Sequence, residues 1–309
     1  MSKQKIICIV GPTGSGKSST AVKLAKAIDG EIISADSMQI YKDMNIGTAK
    51  ITNEEMQGVE HYLIDVVDPV QNFSVSDWKD CAEKAITKIA SKGKIPIIAG
   101  GTGLYVNALI NNFKFYSVDE SKRNYFIAKY NEYLKNFGVD ALYQKLLDRV
   151  PDFAKRVDKN KTRAIINYLA LLDAGATNLD VCDSESEYDY LLIGLNIDRE
   201  LIYSKINTRV DEMVDDGLLD EIEFLKTKYG FNENCQSASA IGYREFWEYF
   251  NGNITKDRAI ELVKQHSRNY AKRQFTYIKK MRGLVWFEYN DFEGILKEVK
   301  DFLGTKGEC

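Results

Sequence analysis

The chain has 309 residues, 44% hydrophobic and 28% charged, with a net charge of −3. That supports one large packed core or two modest ones, and it excludes a disordered polyelectrolyte or a simple polycation. Five scattered cysteines with no C-x-x-C pair, and only two histidines, His61 and His266, exclude a disulfide scaffold, leave a zinc site without ligands at workable spacing, and point to free thiols in a reducing compartment.

Lys5-Ile6-Ile7-Cys8-Ile9-Val10 is an apolar run that predicts a strand close to the start, so no signal peptide is expected. Gly11-Pro12-Thr13-Gly14-Ser15-Gly16-Lys17-Ser18 follows as a complete G-x-x-x-x-G-K-S phosphate loop. Its glycines let backbone N–H groups turn inward around an anion, Lys17 adds a charge, and the Ser18 hydroxyl suits Mg²⁺. Ala21, Leu24, Ala25 and Ile28 recur at helical spacing, so a helix N-terminus also points at the phosphate.

Further strands are predicted at 31–34, 62–67 and 95–99. Between them a helix begins after Phe73, capped by Ser74 or Ser76, with a stripe at Val75, Trp78, Ala82, Ala85, Ile86 and Ile89 and an end at Gly93. From 119 to 187 strand signals stop, and helical spacing runs through 121–136, 139–148 and 162–173. This predicts an all-helical insertion, closed by the acidic linker 180–187. Residues 190–197 read as a strand rejoining the sheet, followed by helices at 199–213, 216–229 and 255–282 and a last strand at 284–287. The expected fold is α/β: a P-loop NTPase-like parallel sheet with flanking helices, built from residues 1–118 and 188–309, plus the small helical insertion 119–187. No apolar run approaches the ~20 residues of a membrane helix, so a cytoplasmic protein is expected.

The stretch 255–282 carries nine basic against two acidic residues, a local charge of +7 that leaves −10 for the rest of the chain. Lys264, Arg268 and Lys272 are four apart and share one helix face, with Arg273 beside them and Tyr270, Phe275 and Tyr277 interleaved. Basic side chains among aromatics suit an RNA backbone and its unstacked bases, although a charge run is more commonly a solvated face.

The stretches GPTGSGKS, EIISADSMQIYKDMNIGTAK, HYLIDVVDP, GGTGLY, INTRVDEM, GLLDEIEFL, IGYRE and YAKRQFTY resemble, in the same order, those of the tRNA dimethylallyltransferases, the isopentenyl transferases that modify adenosine 37 beside the anticodon. The resemblance spans residues 8 to about 281. It implies transfer of a dimethylallyl group from dimethylallyl diphosphate to N6 of that adenosine, with Mg²⁺ as cofactor and a tRNA anticodon stem-loop as partner. No protein partner is implied, and a monomer is expected.

Residue roles follow from the chemistry that this reaction requires. Residues 11–18 hold the diphosphate, Ser18 serves Mg²⁺, and Lys17 meets the leaving charge. Arg209 matches a family position that contacts the pyrophosphate; on spacing alone it reads as a helix-surface partner of Asp211 or Glu212. Asp36, just past a strand end, is the candidate base, with Mg²⁺ coordination and a helix N-cap as competing roles. Ser37, Met38 and Gln39 would touch the target adenine, Gln39 by a bidentate amide contact. Thr102 is placed to bond either phosphate or the attacking amine. Asp65, another strand-end carboxylate, stays outside the catalytic set, and His61 reads as structural.

For tRNA, the resemblance adds Arg123 and, in Lys161-Thr162-Arg163, Arg163. Asn167-Tyr168 stands where the family usually has a second basic residue, which weakens the grip expected there. No cysteine–histidine module follows residue 281, as in the short bacterial form. Three rivals remain in view: an adenylate isopentenyltransferase acting on free nucleotides, a small-molecule kinase lacking its arginine-rich lid, and a GTPase, against which Asn160-Lys161-Thr162-Arg163 is not the guanine-reading N-K-x-D.

Overall fold

The computed structural model describes residues 3–115, 118–176 and 185–304. Most of the acidic linker expected at 180–187, with Cys182 and Cys309, lies outside them. In chain order the elements are β1 (Gln4–Val10), α1 (Lys17–Ile28), β2 (Gly30–Ser34), α2 (Asn53–Met56), β3 (His61–Tyr62), α3 (Val75–Ser91), β4 (Ile95–Gly100), α4 (Gly103–Ile110), α5 (Glu120–Arg149), α6 (Pro151–Ala154), α7 (Thr162–Asp173), β5 (Tyr188–Asn196), α8 (Arg199–Asp215), α9 (Leu218–Tyr229), α10 (Arg244–Phe250), α11 (Lys256–Ile278), β6 (Leu284–Glu288) and α12 (Phe292–Leu303).

The chain divides into two compact units, one of residues 1–112 and 185–309, the other of 113–184. The first is a six-stranded sheet in the order β3-β2-β4-β1-β5-β6, with every pairing parallel. β1 sits centrally, and its run of consecutive apolar residues is what a strand covered on both faces demands. Alternate side chains go to opposite faces. Ile6, Cys8 and Val10 join Trp78 and Ile86 of α3, Leu109 of α4 and Ile222 of α9. Ile7 and Ile9 join Leu24 of α1 and Ile295 and Val299 of α12. Burial pushes the Cys8 thiol well up, so it is an inert core group.

The second unit has its own core, Leu142, Leu146, Ala154, Ile165 and Leu169. The expected pair of helices at 121–136 and 139–148 is present within α5, the two meeting at a kink where Gly138 takes φ 79°.

Three expectations change. The strand predicted at 62–67 shrinks to His61–Tyr62, because Leu63 and Asp65 take φ of 62° and 57° and turn the chain out of the ladder. Val66 and Val67 then donate to the Ile40 carbonyl instead. The basic helix ends at Ile278, so Lys279, Lys280 and Arg282 lie beyond it. Finally, α4, α10 and α12 were not anticipated, although α12 shows Ile295 and Val299 at helical spacing. The Ser74 cap of α3 forms as a capping box with Asp77.

Candidate active site

The carboxyl ends of β1, β2 and β4 frame a cavity of about 600 Å³, the edge at which parallel sheets place ligands. The phosphate loop is one wall. Gly14 and Gly16 take φ of 80° and 85°, left-handed values that a side chain would resist. Gly16 caps α1, so the free N–H groups of that helix's first turn border the cavity. Lys17, Arg209, Arg244 and Arg273 line it against Asp36 and Glu55. The balance is cationic, as an anion site requires. Ser15 Oγ is buried within the loop without a hydrogen-bond partner among the described residues.

Lys17 Nζ donates to the Pro12 carbonyl at 2.7 Å. Burial lowers its ammonium to about 8; the Asp36 charge opposes this and the Arg209 charge reinforces it. The sign for binding follows. Above about 8 the free protein loses the charge that a bound diphosphate needs, so binding there must take up a proton. The affinity of a non-reactive diphosphate analogue is therefore expected to fall as pH rises through about 8. Lys17→Arg should abolish that inflection, because a guanidinium stays protonated. A flat wild-type profile in titration calorimetry would contradict this.

Asp36 follows β2. Its Oδ1 accepts from Met38 N–H at 2.9 Å and Gln39 N–H at 3.3 Å. No helix follows Asp36, so the expected N-cap is not formed: Oδ1 instead fixes the turn of residues 37–40, and Oδ2 has no hydrogen bond among the described residues. Thr102 differs from expectation. It does not line the cavity. Its Oγ1 accepts from Ser37 N–H at 3.1 Å and also bonds Tyr270, which places it behind the wall as a brace.

α11 forms the facing wall. Val263, Ser267, Tyr270 and Gln274, at helical spacing, all line the cavity. Buried Gln274 bridges two strand-end loops, accepting from Thr13 N–H at 2.9 Å and donating to the Gly101 carbonyl at 3.0 Å. Burial foremost, then the Asp36 charge, pushes the Tyr270 hydroxyl to about 12.

Residues 39–281 match the IPP transferase family. The tRNA dimethylallyltransferase of Halalkalibacterium halodurans is 43% identical, over 99% of this chain and 98% of that protein. The chain belongs to the IPP transferase family. The crystal structure of the tRNA isopentenylpyrophosphate transferase of Bacillus halodurans is 42% identical, with a TM-score of 0.72 over 98% of this chain and 96% of that one. A eukaryotic dimethylallyltransferase caught acting on tRNA is 28% identical, with a TM-score of 0.82 over 98% of this chain and 80% of that one.

In this IPP transferase the remaining candidates fall into three groups. Arg209 sits on α8 and lines the cavity with Ile206 and Val210. Asp211 pairs with Lys264, and Arg209 has no ion pair among the described residues, so the surface-partner alternative fails for it. Gln39 lines the cavity, but its Nε2 donates to the Ala49 carbonyl at 3.0 Å and the Thr48 carbonyl at 3.4 Å. Two carbonyl acceptors fix the orientation of the amide, so the expected bidentate contact reduces to Oε1, an acceptor. Ser37 and Met38 are half-buried and line the same cavity.

The basic stripe is partly diverted. Lys264 Nζ lies 2.7 Å from Asp211, and Arg268 Nη1 donates to Asn207 Oδ1 at 2.6 Å. Both brace α11 on α8, while Lys272 and Arg273 stay exposed. Arg123, in the first turn of α5, and exposed Arg163, on α7, belong to the helical unit. Outside the catalytic set, Asp65 pairs with Lys50, and His61, bonded to the Val59 carbonyl, is held below its usual range by burial.

Sequence reasoning missed Gln274 and Arg244. The signal for Gln274 was its spacing of four from Tyr270. Arg244, whose Nε donates to buried Glu245 at 2.6 Å, sits in a short helix that no periodicity announced.

Proposed function

We propose that this protein transfers a dimethylallyl group from dimethylallyl diphosphate to N6 of adenosine 37 in tRNA, releasing diphosphate. One observation carries the reading: a single cavity joins a diphosphate grip (residues 11–18, Lys17, Arg209) to a carboxylate and an amide (Asp36, Gln39) suited to an adenine amine. The loop and the two cations stabilise charge as the carbon–oxygen bond to diphosphate breaks. Gln39 Oε1 accepts one N6–H and orients the amine. Asp36 Oδ2 takes the other proton as nitrogen bonds carbon. Val210, Val263 and Tyr270 keep water from the cationic carbon.

Mg²⁺ fits the donors present. The Ser18 hydroxyl is exposed beside Lys17 and lines the cavity. No cluster of three or more acidic, histidine or cysteine ligands exists among the described residues. Such an ion would be held by Ser18 and diphosphate oxygens while keeping waters, and it would neutralise leaving-group charge.

For tRNA, the proposed contacts are Lys272 and Arg273, with Arg123 and Arg163 from the helical unit. Lys272→Ala/Arg273→Ala should lower the log–log salt slope of stem-loop binding by roughly 0.7–0.9 for each phosphate no longer neutralised. Lys264→Ala should leave the slope unchanged and cost folding stability through the Asp211 pair. A wild-type slope in the double variant would move the RNA surface elsewhere. The protein is proposed to work as a cytoplasmic monomer; no helix among the described residues is long and apolar enough to cross a membrane.

The reading is tested by competition between AMP and an anticodon stem-loop for labelled dimethylallyl diphosphate. Label in the RNA is expected. Label in AMP alone would favour a free-nucleotide prenyltransferase, and ATP turnover without prenyl transfer a kinase.

A further inference from the structure

Glu221 of α9 is buried, 9% exposed, and does not line the cavity. Its carboxylate collects four donors. Oε2 accepts from Asn45 N–H at 2.8 Å and Ile46 N–H at 2.7 Å, and Oε1 from Gly47 N–H at 3.1 Å and the Tyr243 hydroxyl at 2.6 Å. Three successive backbone N–H groups converging on one point form the concavity that elsewhere binds free anions. Here a side chain 174–176 residues away fills it.

The clamp is tight. A Cβ on Gly47 would lie 2.4 Å from the Tyr243 ring, so no side chain fits between them. Burial and the adjacent carboxylate hold the Tyr243 hydroxyl well above its ordinary range, so it remains a donor. α9 grips the same segment a second time, with Lys228 and the Tyr229 hydroxyl both on Asp43, at 2.6 and 2.7 Å.

Both clamped segments continue into the cavity. Residues 45–47 lead to Thr48 and Ala49, whose carbonyls receive Gln39 Nε2. Tyr243 lies between Ile241 and Arg244, which line the wall. The phosphate loop has no part in this network.

We infer that Glu221 is a positioning residue that, with Tyr243, sets the adenine-reading side of the cavity by fixing residues 45–49 and so the orientation of the Gln39 amide. The inference rests on the proposed transfer to an adenine amine. Gln39 Oε1 meets that amine only while Nε2 is held by carbonyls whose place Glu221 dictates. Loss of the clamp frees the amide to rotate, and preference for a base bearing an N6 amine is lost with it.

The test uses the full chain and two anticodon stem-loops, with adenosine or purine riboside (which lacks the amine) at the target position. Wild-type protein should bind the adenosine form about tenfold tighter, the scale of one good hydrogen bond in a buried site. Glu221→Gln presents an N–H where the amides need an acceptor, and should bring that ratio towards one. Affinity for a non-reactive diphosphate analogue should not change. Tyr243→Phe keeps three of the four bonds and should give an intermediate ratio; it decides the matter if Glu221→Gln does not fold. A purely structural Glu221 would lower the melting temperature and leave the ratio at the wild-type value, which would overturn the inference, as would a wild-type ratio of one. Failure of wild-type protein to prenylate the adenosine stem-loop would instead overturn the proposed reaction, because the clamp is read from binding alone.

Discussion

Asp36→Asn is expected to lower single-turnover prenyl transfer by about 10²–10⁴-fold, the usual contribution of a positioned general base, with tRNA affinity nearly unchanged. The geometry makes this substitution clean. Asparagine keeps an oxygen to accept from the Met38 and Gln39 N–H groups, so the turn survives. What it replaces is Oδ2, which has no hydrogen bond among the described residues and is the atom proposed to take the amine proton. An amide nitrogen there cannot take a proton. Quench-flow with a saturating stem-loop gives the rate, and filter binding gives the affinity. A rate within a few-fold of wild type would remove Asp36 from the base role and reduce it to the turn contact that its Oδ1 already makes.

Lys17→Ala is expected to cost about 10²–10³-fold in the same rate, on the scale of one donor removed from a site of developing charge, and to weaken diphosphate binding. The loop conformation should outlast the change, because its left-handed glycines and the Gln274 bond to Thr13 N–H do not depend on Lys17. Arg209→Ala should slow the reaction in the same direction, since both cations face one cavity. Calorimetry with a non-reactive analogue, paired with the rate, checks both. Unchanged binding together with an unchanged rate would mean that the loop is a relic of another chemistry.

Much of this molecule is legible in its sequence, for local reasons. β1, the loop and α1 lie within 25 consecutive residues, and each obeys a rule about neighbours: an apolar run, glycines at left-handed positions, helical spacing. Asp36 and Arg209 were found through family motifs, and their geometry then showed why each is available. Legibility fails where partners are distant or are backbone. Nothing in the spacing of Glu221 announces that it will accept amides of residues 45–47. The charge of α11 drew attention to Lys264 and Arg268, yet long side chains beside Asp211 and Asn207 of α8 were captured there. The adjacent uncharged face, with Tyr270 and Gln274, built the cavity wall. Residues 62–67 read as a strand by composition, and only the positive φ of Leu63 and Asp65 turns them aside.

The central claim is that one cavity brings a diphosphate and an adenine amine together. It is tested most directly by incubating the protein with dimethylallyl diphosphate, Mg²⁺ and unmodified tRNA, then digesting the RNA and mapping the product nucleosides by mass spectrometry. The account predicts one dimethylallyl group on N6 of adenosine 37, matched by an equal amount of released diphosphate. Diphosphate released without a prenylated nucleoside, or prenyl transfer at any other position, would contradict it.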